Sequence, residues 1–161
     1  MQKSDPELRR ILVWTVDSFY PELHQILRDG RIKIVYANLK TEYANFNYNG
    51  GNIYKINFDR KTMESAPKDA KIGAGAHELE HIVTEEGLDD IQTKIDMRLR
   101  RYEPYRVLDE RDNDVRVVLR GLGKYLHEFE RFAVEKNIFR SVDAGLTIDE
   151  IEKLLKIQQP F

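Results

Sequence analysis

Cysteine is absent from this chain of 161 residues, so a disulfide framework, a thiolate metal site and a cysteine nucleophile are all excluded. Long apolar runs are missing as well. A membrane-spanning helix needs about 18–20 apolar residues in a row, and the longest uncharged stretch, Tyr43 to Tyr54, is full of Asn and Gly. The third absence is an excess of positive charge: Lys plus Arg total 26 against 28 for Asp plus Glu, a net charge of -2. Holding a polyphosphate backbone draws most of its affinity from cationic neutralisation, so nucleic acid is disfavoured as a partner. Met1 to Arg10 carry charge where a signal peptide places its apolar stretch, which makes the cytoplasm the expected location. Repeats at solenoid spacing and low-complexity tracts are lacking too.

What is present is enough for one core: 41% of residues are apolar and 34% charged, and the length suits a single domain. Ser4 and Asp5 can cap a first helix, Pro6 fits its first position, and Leu8, Ile11, Leu12, Val16 and Phe19 follow at helical spacing. Pro21 should break or kink it, and Gly30 should end its continuation. The period then changes to two in the runs around Ile32–Tyr36, Ala44–Tyr48 and Tyr54–Phe58. Asn49-Gly50-Gly51-Asn52 tolerates positive φ and reads as the turn of a hairpin between the last two runs. From Asp69 onward the pattern is helical, with candidates near 69–86, 88–100, 106–121, 124–137 and 148–157. Thr147 and Glu150 form a capping box for the last of these. The order predicts an α+β fold: an N-terminal helix, a small three-stranded antiparallel sheet, then helices. A compact domain is expected over 1–137, followed by a linker and C-terminal helix over 138–161 for which a regulatory role is open.

One stretch carries chemistry. His77-Glu78-Leu79-Glu80-His81 is H-E-x-x-H inside a predicted helix. Two His one turn apart can offer ring nitrogens to one tetrahedral metal at about 2.0–2.1 Å, and the Glu beside the first reaches the open metal position. Ile72, Ala76, Leu79 and Val83 share the opposite side, so the helix is expected to pack by one face and show its His pair to a cleft. Gly73 and Gly75 are poor helix formers, and their presence predicts close approach of another backbone. A catalytic zinc usually has a third protein ligand. Glu110 and Asp114 lie one turn apart on a later helix whose other side carries Leu108, Val115, Val118, Leu119 and Leu122. That spacing lets Glu110 bind a metal while Asp114 takes the spare N–H of a ligating His. It is equally the spacing of an ordinary solvated acidic face.

His77-Glu78-Leu79-Glu80-His81-Ile82-Val83-Thr84, with Gly87-Leu88 after it, resembles the active-site helix of the thermolysin-like gluzincins, zinc metallopeptidases whose pattern is H-E-L-x-H-x-V-T. Glu110-Arg111-Asp112-Asn113-Asp114 is similar to their second motif, E-x-x-x-D. Asn45-Phe46-Asn47-Tyr48-Asn49-Gly50 resembles the rim strand that pairs with extended substrate. The order of elements is close to the small archaeal minigluzincins, and the likeness covers about residues 32–122.

The resemblance implies a zinc-dependent endopeptidase: zinc on His77, His81 and Glu110, Glu78 as general base, Asp114 orienting His77, and Asn45 and Phe46 binding a peptide or protein substrate in extended form. Tyr102, Tyr105 and His127 are candidates for stabilising the oxyanion, each with a structural reading beside it. The alternative is a regulatory or binding protein on a metallopeptidase scaffold, acting on one partner. No membrane partner is expected, and a homo-oligomer is open. The cluster Arg98, Arg100, Arg101 and Arg106, with interleaved tyrosines, reads better as a solvated ionic face than as a nucleic-acid patch.

Overall fold

The computed structural model describes residues 5–39, 42–48, 53–137 and 145–158. Helix α1 (Pro6–Phe19) starts where Asp5 accepts hydrogen bonds from the Glu7 and Leu8 amides at 2.9 and 3.1 Å. Leu8, Ile11, Leu12 and Val16 line its buried face. A 3-10 turn (Pro21–Leu23) and α2 (His24–Arg28) follow, and the chain reverses at Gly30, whose φ of 68° suits glycine. Strands β1 (Ile32–Ala37), β2 (Ala44–Tyr48) and β3 (Tyr54–Asp59) come next, then short α3 (Arg60–Met63). The remainder is helical: α4 (Lys68–Glu86), α5 (Asp90–Leu99), α6 (Glu103–Val117), α7 (Gly123–Glu135) and α8 (Ile148–Gln158), with a π-helical turn Val118–Leu122 joining α6 to α7. The fold is α+β, as expected. Among the described residues no helix is long and apolar enough to cross a membrane.

The sheet corrects the expectation of an antiparallel one. Its order is β1-β3-β2. β2 and β3 pair antiparallel, with Phe46 opposite Ile56, while β1 and β3 pair parallel, with Ile34 opposite Ile56. The link from β1 to β2 reverses direction but leaves one strand's width between them, and β3 fills that slot. The expected turn at Asn49–Asn52 and the greater part of the expected linker, 138–144, lie outside the described residues.

Helix α4 departs from the one-faced packing expected of it. All of Ala70 to Ile82 is buried, because the helix runs through the middle of the molecule against α1, α6, α7, β2 and β3. Its most extensive seam is with α7. Gly73 makes that seam possible: a Cβ there would stand 2.2 Å from the Tyr125 carbonyl oxygen. At Gly75 the near neighbour is a side chain, not a backbone, with the Phe58 ring 3.7 Å from a Cβ. On α6 and the turn after it, Val118 and Leu122 are buried as expected, whereas Leu108 and Leu119 are exposed. Gly121 takes a φ of 86°, outside the helical range, in this turn.

α8 packs on α7, with Leu146 and Ile151 in the same core cluster as the rest of the molecule. Thr147 and Glu150 make the expected capping box: the Thr147 amide donates to Glu150 Oε2 at 2.9 Å, and the Glu150 amide donates to Thr147 Oγ1 at 3.3 Å.

Candidate metal centre

The H-E-x-x-H helix is held rigidly from behind. Glu80 is fully buried on the side away from the cleft and pairs with Arg120, which also binds the Phe19 carbonyl at 2.9 Å. The Arg120 guanidinium stacks 4.2 Å from the Tyr20 ring centroid, and the Tyr20 hydroxyl donates to the Ala76 carbonyl at 2.9 Å. A buried carboxylate is tolerated only with such a partner. α1, α4 and the turn before α7 are thereby tied together just behind the paired histidines.

On the cleft side, the 3.6-residue period sets His77 and His81 side by side, ring centroids 5.1 Å apart. α6 brings Glu110 against both. His77 Nε2 lies 2.8 Å from Glu110 Oε2, and His81 Nε2 lies 3.6 Å from Glu110 Oε1. One ligand atom from each of the three residues falls within 4.8 Å of the others. Asp114, one turn on, is fully buried and sits 2.7 Å from His77 Nδ1. A proton on Nδ1 donated to that carboxylate leaves the Nε2 lone pair facing Glu110 and His81.

Charge is concentrated here. Burial opposes protonation of His77, but Asp114 and Glu110 outweigh it and hold its pKa well above the usual histidine value. Burial likewise pushes Glu110 up, yet His77 and His81 overcome that and keep its carboxyl far below the ordinary range. Glu78, 5% exposed, goes the other way. Burial raises its pKa against the attraction of the two histidines, with Glu110 and Glu42 adding to the rise.

These groups open on a cleft of about 200 Å³ lined by Tyr43, Phe46, Glu78, Arg100, Arg106 and Gly145 among others. β2 forms its rim at the edge of the sheet. Phe46 stacks on His81, centroids 5.7 Å apart and planes 8° from parallel. The Asn45 side chain is engaged within the protein: it accepts from Asn57 at 2.9 Å and donates to Glu42 at 2.8 Å. A ligand lying along β2 therefore meets the strand's backbone and the Phe46 ring.

The three oxyanion candidates do not line this cleft. Tyr105 donates to Asp96 at 2.6 Å, Tyr102 is exposed, and His127 lies on α7 beside Glu152 at 3.1 Å. Tyr105 is turned away because α5 brings Asp96 over the start of α6. Two residues with no part in the expected site stand beside His81: Asn113, and Arg100, which was expected on a solvated ionic face. Asn113, 1% exposed, places its amide nitrogen 2.9 Å from His81 Nδ1 and 3.3 Å from Nε2, and Arg100 Nη1 lies 3.3 Å from Nδ1. Asn113 follows Glu110 by three positions, so the helical period that selected Asp114 also puts it on this face. Arg100 carries no such local signal. It is ion-paired with Asp96 at 2.7 Å and Glu85 at 3.4 Å, so this member of the arginine cluster is part of the cleft wall.

The donor set fits zinc. Two imidazoles and one carboxylate are a donor set that zinc takes, and one ligand atom from each lies within 4.8 Å of the others. Comparison with known proteins adds no assignment: no family model, curated protein or solved structure matches the chain.

Proposed function

We propose that this protein is a zinc-dependent endopeptidase. The observation that carries the reading is the convergence of His77, His81 and Glu110 from two helices in one cleft, with Glu78 on the same wall. Bound zinc would supply Lewis acidity toward the scissile carbonyl and acidify a water molecule. The chain's own residues do the rest. Glu78, made more basic by burial against the pull of the neighbouring histidines, takes a proton from the attacking water and passes it to the departing amine nitrogen. Water adds across the peptide bond, giving a carboxylate and an amine. Asp114 fixes the ring of His77 through Nδ1. β2, as an edge strand, offers backbone to an extended peptide, which would lie as an added strand. The likeness to gluzincin motifs points in the same direction.

A second reading is favoured by one observation: Tyr102, Tyr105 and His127 are not among the residues lining the cleft. A regulatory or binding protein that uses the metal centre to hold one partner needs no oxyanion donor. Zinc content and hydrolysis of an unfolded protein substrate separate the two. Glu78→Gln should keep zinc and lose hydrolysis by roughly 10²–10⁴-fold, while His77→Ala should lose the metal. Zinc bound by the wild type without hydrolysis selects the second reading. A Glu78→Gln variant that cleaves as the wild type does overturns the first.

A further inference from the structure

The carboxylate behind His77 has two oxygens, and the second is held from an unexpected direction. Asp114 Oδ1 faces His77 Nδ1 at 2.7 Å, while Asp114 Oδ2 accepts a 2.7 Å hydrogen bond from the Leu146 backbone amide, just ahead of α8. Asp114 is fully buried, so that amide supplies a large part of what its charge lost on leaving water. Leu146 is itself clamped. Arg111, one turn from Asp114, donates to the Gly145 carbonyl at 3.2 Å and to both oxygens of Glu150 at 2.6 and 3.3 Å. Glu150 in turn caps the Thr147 amide. At the far end of α8, Gln158 donates to the Val118 carbonyl at 2.9 Å.

We infer that residues 145–158 form a positioning element of the metal centre: the Leu146 amide, held in place by Arg111 and Glu150, locks Asp114 and through it the ring of His77. The inference rests on His77 being a metal ligand, as in the proposed function. A carboxylate held at one oxygen can rotate about its Cβ–Cγ bond and carry the imidazole with it; held at both, it fixes one tautomer and one ring plane. Such outer partners commonly account for 10–100-fold in metal affinity. Gly145 also lines the cleft, so the segment that locks Asp114 is part of the site's wall. The C-terminal helix is then a component of the site, not a cover laid over it.

The test is zinc affinity of the full chain, measured by competition with a chromophoric chelator, with the visible spectrum of the cobalt-substituted protein reporting coordination geometry. Leu146→Pro removes the amide donor and should weaken zinc roughly 10–100-fold. Arg111→Ala, a change at a half-exposed position, should weaken it about tenfold and alter the cobalt spectrum. Glu152→Ala removes a different α8 ion pair, with His127, and should leave affinity and spectrum unchanged. Should Leu146→Pro fail to fold, Arg111→Ala decides alone. Wild-type affinity and spectrum in Arg111→Ala overturn the inference, as does an equal loss in Glu152→Ala, which would reduce the effect to general docking of α8. A wild-type chain that binds no zinc instead overturns the metal-centre reading on which the inference stands.

Discussion

The two histidines are supported by different chemistry. His77 has a buried carboxylate behind it, whereas His81 has the neutral amide of Asn113 and the guanidinium of Arg100 at 2.9 and 3.3 Å from Nδ1. To present an Nε2 lone pair, His81 must carry its proton on Nδ1; the Asn113 side chain then meets that proton with its carbonyl oxygen after a half-turn of the amide, and the Arg100 guanidinium, a donor only, turns to its carboxylate partners Asp96 and Glu85. Asn113→Leu keeps the approximate volume and removes the acceptor. Zinc affinity should fall roughly 10–100-fold, read by chelator competition, while Asn113→Asp should retain it. Wild-type affinity in Asn113→Leu would show that Asn113 is only a packing residue. This position was open to sequence reasoning, since Glu110, Asn113 and Asp114 share one helical face. It went unused because an Asn in a helix carries no motif of its own.

Among elements, α4 and α7 set the stability of the site. A methyl group at Gly73 would stand 2.2 Å from the Tyr125 carbonyl oxygen and 2.6 Å from its carbon. Those atoms are backbone, so the helices must part. Gly73→Ala should cost about 1–3 kcal/mol, and the melting temperature should fall by roughly 2–4 °C for each. Gly75→Ala meets only the Phe58 ring at 3.7 Å and gains helix propensity, so it should be neutral or stabilising by up to about 1 kcal/mol. Equal losses in both variants would contradict the seam. The local signals of these elements were legible in the sequence: the Asp5 cap, the Thr147–Glu150 box and the period-two strands each depend on residues a few positions apart. Pairing of β1 with β3 was not legible, because no local pattern says which strand fills the slot beside β1. Nor was the burial of α4 on all sides. Small residues from Gly73 to Ala76 announced one close neighbour, but the second and third come from α1 and α6, far along the chain. Tyr105 was placed near the chemistry by its proximity to Glu110 in sequence, and Asp96 on α5 draws it elsewhere.

For the whole molecule, the docking of the C-terminal helix is expected to respond to acid. The hydrogen bonds from Arg111, then that from the Thr147 amide, bring Glu150 from its ordinary 4.5 down to about 2. A carboxylate lowered on folding stabilises above its unfolded value, and the contribution is lost as pH falls through the folded one. The clamp should therefore be fully present above pH 4.5 and released between pH 4.5 and about 2. The difference in melting temperature between wild type and Glu150→Gln should be largest above that window and shrink within it. A difference that does not vary with pH would mean that the ion pair with Arg111 contributes nothing to closure.

The hydrogen bond between Leu146 and Asp114 also has a consequence in time. Chains leave the ribosome from the N-terminus at about 5–20 residues per second. His77 and Glu110 emerge well before the amide that steadies Asp114, and α4 lacks its principal neighbour until α7 has followed. A nascent chain thus carries every residue of the candidate centre while the geometry that brings them together is still unfinished. If the protein cuts peptide bonds, this order of emergence delays the finished blade until residue 146 has followed.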